Sequence, residues 1–394
     1  MPSDESPGPS VTTDTVSTTE QISDSERISD TERYSRQVLF PGIGAAGQQR
    51  LAEAHVAVIG CGAMGAASSS LLARAGVGTI TIIDRDFVEA SNLQRQVLFD
   101  EDDARQSLPK AEAARRHIAR FNSGIRVHSQ IADLVPANIA ELLAPAHILL
   151  DATDNFETRY LINDYAVRES KPWIYAAAIS AYAATMNILP ATLEASASLL
   201  VPGTSYLVPA SPTACLACLF PKPPSGNVET CDTAGILSTA VNLAASVQVT
   251  EALKYLTGQP HLMRRTLLSF ELWSPATGAR LEQAEISAAT PRPDCEVCGQ
   301  RIFTHLAGKN RAHITLCGRD SVQIHEHHRP VDFAAMRTRL AAHADIQDLR
   351  SNDLLLRFRR GPHTLILFPD GRAIVQGTTD VMLARSLYAR FIGS

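Results

Sequence analysis

The sequence has no surplus of positive charge. Its 36 basic and 41 acidic residues leave a net charge of −5, which disfavours a general reader of nucleic-acid polyanions. It has no amino-terminal basic patch followed by an apolar core, so no secretory signal is expected, and the acidic start is unlike a transit peptide. No apolar run has the character of a membrane span. The most apolar stretch, Ala176 to Leu193, is interrupted by Ser180, Thr185, Asn187 and Pro190 and predicts a buried strand and loop. Cysteine is too sparse for a secreted disulfide scaffold: there are seven in 394 residues. Four of them fall into two Cys-x-x-Cys pairs, which points to a reducing compartment and a metal. The expectation is a soluble cytoplasmic protein with neither nucleic acid nor membrane as partner.

Aromatic residues are absent from residues 1–32, which hold eight acidic side chains and one arginine. The tail therefore carries −7, and the rest of the chain +2. Such a segment cannot bury enough apolar area to offset its ordering entropy, so a disordered acidic tail is predicted over 1–32. Beyond it the apolar share, 45% overall, and the length suit two domains.

From Arg33 the texture alternates. His55–Ile59, Thr79–Asp84, Ile125–Ser129, His147–Asp151 and Trp173–Ala178 read as strands. An alanine-rich stretch to Ala75, Lys110–Phe121 and Glu157–Arg168 read as helices. Strands alternating with helices predict a doubly wound, mostly parallel Rossmann-like sheet. Residues 191–231 look like an extended excursion. A long helix is predicted over Thr233–Leu256, with Asp232 as N-cap and Gly258 as C-cap. Arg265–Trp273 and Ala279–Ile286 read as an antiparallel extension of the sheet. Residues 300–394 predict a small α+β domain: strands at 314–316, 322–324, 354–358, 363–368 and 372–376, helices over 331–342 and 382–392, and a turn at Pro369-Asp-Gly371.

Gly60-Cys-Gly-Ala-Met-Gly65 comes directly after a strand and opens a helix, the context of a nucleotide loop. Gly60, Gly62 and Gly65 permit a tight turn and close backbone approach, and the helix N-terminus favours phosphate. Asp84 ends the next strand, where a carboxylate can take ribose hydroxyls. So far an NAD-dependent oxidoreductase fits equally. The residues beyond Asp84 separate the readings. Ser91-Asn-Leu-Gln-Arg-Gln96 places Asn92, Arg95 and Gln96 soon after the second strand, and Lys110 opens the next helix. A triphosphate needs cationic side chains and a magnesium ion as pyrophosphate leaves. Arg95, Lys110 and a carboxylate in Asp151-Ala-Thr-Asp-Asn155 meet that need, with Asp154 as the magnesium ligand.

Taken in order, Arg33-Tyr-Ser-Arg-Gln-Val-Leu-Phe40, Gly60–Gly65, Asp84, Ser91–Gln96, Asp151–Asn155 and Thr230-Cys-Asp-Thr-Ala-Gly235 resemble the ThiF/MoeB/HesA family, bacterial relatives of ubiquitin-activating enzymes. The resemblance covers about residues 33–299. It implies a nucleotidyltransferase that uses ATP and Mg2+ to adenylate the carboxyl-terminal glycine of a ubiquitin-like sulfur carrier ending in Gly-Gly, in thiamine, molybdopterin or related biosynthesis. It also implies that Arg36 reaches the ATP phosphates of a neighbouring subunit in a homodimer. Asp84 would be the ribose ligand, Asn92, Arg95 and Lys110 phosphate contacts, and Asp154 the magnesium ligand.

Cys215-Leu-Ala-Cys218 and Cys295-Glu-Val-Cys298 resemble the family's zinc site. Independently, two such knuckles supply the four thiolates of a tetrahedral structural Zn2+. Cys231 stands before the long helix, whose N-terminus would favour its thiolate. In the family the matching cysteine takes the activated acyl group or takes part in sulfur transfer. Cys61 and Cys317 read as structural, and His325–His328 as a solvated strand end. Residues 191–213 are longer than the family's usual link. Residues 300–394 lack the size and active loop of a rhodanese domain, so the sulfur donor is expected to be a separate protein. Adenylation of a ribosomal peptide remains a variant, and a non-catalytic scaffold a third class.

Overall fold

The computed structural model describes residues 28–191, 211–223, 231–273, 281–308, 315–316, 321–324, 331–369 and 371–393. The 191–213 link, the His325–His328 tract and Cys317 lie wholly or largely outside these residues.

Eight strands form the first sheet: β1 (His55–Ile59), β2 (Thr79–Ile83), β3 (Arg126–Gln130), β4 (Ile148–Asp151), β5 (Trp173–Ile179), β6 (Tyr182–Ile188), β7 (Thr266–Glu271) and β8 (Glu282–Ser287). Their order is β3-β2-β1-β4-β5-β6-β7-β8. The first five are parallel, and β6 to β8 continue antiparallel. The predicted sheet is thus present. The sequence shows β6 only as part of an apolar strand-and-loop stretch.

The parallel strands are apolar at consecutive positions because both faces are covered. Val56 and Val58 face one core, with Leu72 of helix Ala63–Ala75 and Val241, Ala244 and Val249 of helix Ser238–Leu256. Ala57 and Ile59 face the other, with Tyr160, Ile162 and Tyr165 of helix Phe156–Arg168. Ala66, Ala67, Ala73, Ala244 and Ala245 are buried, so the two helices on the first face carry small side chains where they pack. Gln248 is fully buried between them. It donates to the carbonyls of Asp151 and Ile174 at 2.8 and 2.9 Å and accepts from Ser68 at 3.0 Å. It ties together β4 and β5, which pair over only two residues.

Two expectations are corrected. The long helix does not begin at Thr233. Cys231–Ala234 forms a separate four-residue turn, Gly235 takes a left-handed φ of 75°, and the helix starts at Ser238 with Leu237 at its cap. Asp232 is therefore inside the short turn. The tail predicted over 1–32 also overlaps a helix: Ser29 caps Asp30–Arg33 by accepting from Glu32, and Tyr34 is buried, while residues 1–27 of that prediction lie outside the described residues.

The carboxyl-terminal residues form a six-stranded antiparallel sheet of β9 (Thr315–Leu316), β10 (Ser321–Ile324), β11 (Gln347–Ser351), β12 (Leu356–Arg360), β13 (His363–Leu367) and β14 (Ala373–Gln376). The order is β11-β12-β13-β14-β10-β9. Helices Phe333–Ala341 and Val381–Phe391 start at Asp332 and Asp380, whose carboxylates cap them. The domain is α+β as expected, and β11 is an addition. Among the described residues no helix is long and apolar enough to cross a membrane.

The opposite end of the parallel sheet carries a histidine group. His55 Nε2 lies 2.8 Å from Thr81 Oγ1, its ring is 6.3 Å from that of His128, and its backbone N–H donates to His147 Nδ1 at 3.0 Å. Burial pushes the His55 imidazole down to about 4, helped by His147, His128, Lys171 and Arg126. The folded state thus holds it neutral while the unfolded chain binds a proton near 6.5. Stability is full above about pH 6.5 and falls progressively toward pH 4, by about 1–2 kcal/mol for this half-buried group after solvent screening. Thermal unfolding between pH 7.5 and 4.5 checks this: His55→Gln should flatten the acid limb, and an unchanged slope contradicts the assignment.

Candidate active site

The carboxyl ends of the parallel strands form one crevice, where ligands of open α/β sheets bind. β1 runs into Gly60–Gly65, within which helix Ala63–Ala75 begins. Gly60 has a φ of 91°, and a Cβ there would lie 2.5 Å from the Ala152 carbonyl oxygen. A Cβ on Gly65 would collide with the Gly60 carbonyl oxygen. Both glycines are therefore fixed by backbone approach. Gly62 differs: its imaginary Cβ meets nothing closer than Gln96 Nε2 at 3.9 Å. The loop leaves bare backbone on that side, as a phosphate cradle requires.

Asp84 comes directly after β2. Its carboxylate accepts from the Cys61 N–H at 2.5 Å and the Asp86 N–H at 2.7 Å. Burial pushes it above the ordinary carboxylate range, against the pull of Lys110. Lys110, only 3% exposed, opens helix Lys110–Phe121 and holds Asp86 Oδ2 at 3.3 Å. A hydrogen-bonded chain thus runs from the glycine loop through Asp84 and Asp86 to Lys110. Burial pushes the Cys61 thiol up, which disfavours its thiolate.

Between Asp86 and Lys110 the chain makes a detour. Asn92 is buried, and its Oδ1 accepts from the Glu89 N–H at 3.2 Å, shaping the turn Ala90–Asn92. Arg95 donates to the Ser91 carbonyl at 2.7 Å. Gln96 is 2% exposed, and its Oε1 has no hydrogen-bond partner among the described residues. An orphaned buried acceptor beside an open glycine suits a polar ligand.

After β4, Asp151 is fully buried. Thr153 donates to its Oδ1 through N–H (2.9 Å) and hydroxyl (2.7 Å). Arg159 Nε is 3.3 Å from Asp151 Oδ2 but off the hydrogen-bond direction, so this contact is an ion pair. The same guanidinium donates to the Thr153 carbonyl at 2.6 Å, which braces the loop. Asp154 is exposed on that loop, and Asn155 caps the next helix by accepting from Thr158 at 2.8 Å.

Gly60, Gly62, Gly65, Asp84, Asn92, Arg95, Gln96, Lys110 and Asp154 therefore share the carboxyl edge of the sheet. Arg36 does not join them. Its neighbour Gln37 donates to the Ala75 carbonyl at 2.7 Å, at the far end of the helix that the glycine loop opens. That helix spans about 20 Å, and Arg36 is exposed beside exposed Leu39 and Phe40. Cys231 opens its short turn, which is tied to the carboxyl end of β5: the Ser180 N–H donates to Gly235 and the Leu237 N–H to Ser180, at 2.9 and 2.8 Å. The expected long-helix N-terminus at Cys231 is absent, because that helix starts seven residues later.

Cys215, Cys218, Cys295 and Cys298 converge, with all four sulfurs within 4.8 Å of one another. The Cys215–Cys218, Cys215–Cys295 and Cys218–Cys298 separations are 3.8, 3.6 and 3.3 Å. A tetrahedral four-thiolate metal would require edges of about 3.8 Å. The Arg292 N–H points at Cys218 Sγ (3.4 Å) and Asn163 Nδ2 at Cys215 Sγ (3.8 Å), both suited to thiolate charge. The donor set is compatible with zinc.

Three residues of the site, Asp86, Arg159 and Gln248, escape a reading of the sequence. Asp86 is visible there as the second acid of Asp-Arg-Asp at a strand end. The other two become recognisable only once the sheet brings their partners together.

The ThiF family model matches residues 34–297. The chain is 41% identical over 363 residues to the sulfur carrier protein ThiS adenylyltransferase of Bacillus subtilis, covering 91% of this chain and 99% of that protein. It is 39% identical over 239 residues to the probable adenylyltransferase/sulfurtransferase MoeZ of Mycobacterium tuberculosis, covering 60% of this chain and 56% of MoeZ. A crystal structure of E. coli MccB with ATP superposes with a TM-score of 0.54 at 25% identity, over 68% of this chain and 74% of that one.

Proposed function

Because the chain belongs to the ThiF family, we propose that it is an ATP-dependent adenylyltransferase acting on the carboxyl-terminal glycine of a ubiquitin-like sulfur carrier of the ThiS type. One observation carries the reading. The likeness to a ThiS adenylyltransferase covers 91% of this chain and 99% of that protein, so it runs through the carboxyl-terminal domain. The MoeZ and MccB likenesses cover only 60% and 68% of the chain, which favours a ThiS-type carrier over a molybdopterin-type carrier or a peptide. An oxidoreductase is not favoured, since the relatives named are adenylyltransferases.

A carboxylate is a poor electrophile, and its mixed anhydride with AMP has a good leaving group. The carrier's terminal carboxylate oxygen attacks the α-phosphorus of ATP. The bond from that phosphorus to the bridging oxygen of the β-phosphate breaks, and pyrophosphate departs with the electron pair. No net proton moves. The Gly60–Gly65 backbone cradles phosphate, Asp84 takes the ribose hydroxyls, and Asn92, Arg95, Gln96 and Lys110 hold the phosphate chain. Bound Mg2+ supplies charge neutralisation for the departing pyrophosphate, with Asp154 as its protein ligand. The distance of Arg36 from its own chain's crevice supports a homodimer in which it completes the partner's site. Cys215, Cys218, Cys295 and Cys298 hold Zn2+ in a structural role, four thiolates leaving no open position. The sulfur donor is a separate protein.

The test is ATP–pyrophosphate exchange with carriers ending in Gly-Gly. Exchange is expected with a ThiS-type carrier and not with one lacking the final glycine. No exchange with any carrier, alongside tight NAD binding, would overturn the reading. Cys231 acts after adenylation, in transfer of the activated acyl group or of sulfur. Cys231→Ala is thus expected to keep exchange within about twofold of wild type while blocking later transfer. Loss of exchange would contradict that role.

A further inference from the structure

The carboxyl-terminal sheet does not hang free of the active site. Leu355, Ile366, Phe368 and Ile374 form one small core together with Phe87 of the first domain, and Ile131 packs against it. Phe87 is 2% exposed. It lies one residue after Asp86 and forms an antiparallel bridge with Pro109, which directly precedes Lys110. Val88 N–H donates to the Leu108 carbonyl and Lys110 N–H to the Asp86 carbonyl, both at 2.8 Å. These pairs make a two-stranded neck, and everything between its arms is the detour holding Asn92, Arg95 and Gln96.

Three arginines cross the junction. Arg357 of β12 lies over the Phe87 ring at 5.7 Å and reaches Ser107 Oγ at 3.4 Å, where the chain turns back with a left-handed φ of 50°. Arg350 of β11 donates to the Arg105 carbonyl at 3.0 Å. Arg372 donates to the Ile131 carbonyl at 2.7 Å, beside the end of β3. The detour is gripped at its start through Phe87 and at its end through Arg105 and Ser107.

We propose that the carboxyl-terminal domain sets the affinity for ATP by clamping the Phe87–Pro109 neck, with Phe87 and Arg357 as positioning residues for Asp84, Asp86 and Lys110. This rests on the adenylyltransferase reading above. Among the described residues the domain's contacts with this segment are to Phe87, Arg105 and Ser107, none of which has a part in the reaction described above. Loosening the neck therefore weakens ATP binding and leaves the chemical step of the bound complex intact.

The experiment uses the full chain with Phe87→Ala, Phe87→Leu and Arg357→Ala. Equilibrium dialysis with ATP alone should show Kd weakened about tenfold in Phe87→Ala and Arg357→Ala, with near-recovery in Phe87→Leu. In exchange assays KM for ATP should rise about tenfold, with kcat and the carrier KM within about twofold of wild type. Amide exchange at Val88 and Lys110 should quicken in the variants while Val58 in β1 stays protected. ATP affinity within twofold of wild type in Arg357→Ala, or a fall in kcat at constant KM, overturns the proposal. Should Phe87→Ala fail to fold, Arg357→Ala decides alone. A wild-type chain that neither exchanges nor binds ATP refutes the adenylyltransferase reading instead, and the Val88 and Lys110 amides then still report whether the domain holds the neck.

Discussion

Asp154→Ala is expected to lower ATP–pyrophosphate exchange by about a thousandfold or more, because the metal ligand proposed at the departing pyrophosphate would serve the transition state above all. The same change should leave the fold untouched. Asp154 is exposed on the loop after β4, and an exposed substitution of this kind costs within about 0.5 kcal/mol. The loop keeps its shape without it. Its geometry comes from Asp151, which accepts from Thr153, from Arg159 on the Thr153 carbonyl, and from the Asn155 cap. This contrast makes Asp154 the informative position. Asp151 is buried against Arg159, so its loss would leave an uncompensated buried charge at about 3–5 kcal/mol and confuse folding with catalysis. Asp154→Asn keeps the shape and removes the charge, and should lose nearly as much exchange as Asp154→Ala. Exchange in either variant within tenfold of wild type, with unchanged thermal stability, would remove Asp154 from the metal's ligands.

The division between what the residues announce and what they conceal has a physical cause. The parallel sheet is legible because its strands are buried on both faces and read as short apolar runs, and because the glycine loop sits where a strand must give way to a helix. The residues proposed to hold ATP are legible because they follow the ends of β1, β2 and β4 or, like Lys110, open a helix. Arg159, Gln248 and the Phe87 core are not, because their roles depend on partners far along the chain: Gln248 on Ser68, Asp151 and Ile174, Phe87 on the strands of the last domain. The misplaced start of the long helix has a local and a tertiary cause. Apart from Gly235, the composition of Thr233–Leu256 is helical. The break comes from the left-handed Gly235 and from pairing with Ser180, a tertiary contact that overrides propensity. In the last domain the hairpins announce themselves through Pro369-Asp-Gly371, where Gly371 has a φ of 85°. β11 does not, since its residues Gln347–Ser351 lie mostly on the surface and give no alternating pattern.

Removing the proposed zinc is expected to have the largest effect on stability. Cys218 and Cys295 are separated by 76 residues, and a cross-link across a loop of that length stabilises by about 4–5 kcal/mol through chain entropy alone. The metal bonds add to this, since structural zinc contributes its binding energy directly to folding. The sulfurs are gathered against helix Phe156–Arg168, where Asn163 accepts from the Leu216 N–H at 2.9 Å and Asp164 accepts from the His305 and Leu306 N–H groups at 2.9 and 3.2 Å. That helix starts at the Asn155 cap, directly after Asp154, so the knuckles stiffen the element on which the proposed magnesium loop is built. Metal analysis should find one zinc per chain. Cys298→Ser, the least buried of the four positions, should abolish zinc retention and lower Tm by about 10 °C. Exchange activity should survive at low temperature, because none of Cys215, Cys218, Cys295 and Cys298 is among the residues proposed to hold ATP, and should fail earlier on heating. A wild-type chain free of metal, or a Cys298→Ser variant within about 2 °C of it, would refute the site, since neither result is compatible with four thiolates joining segments so far apart in the chain.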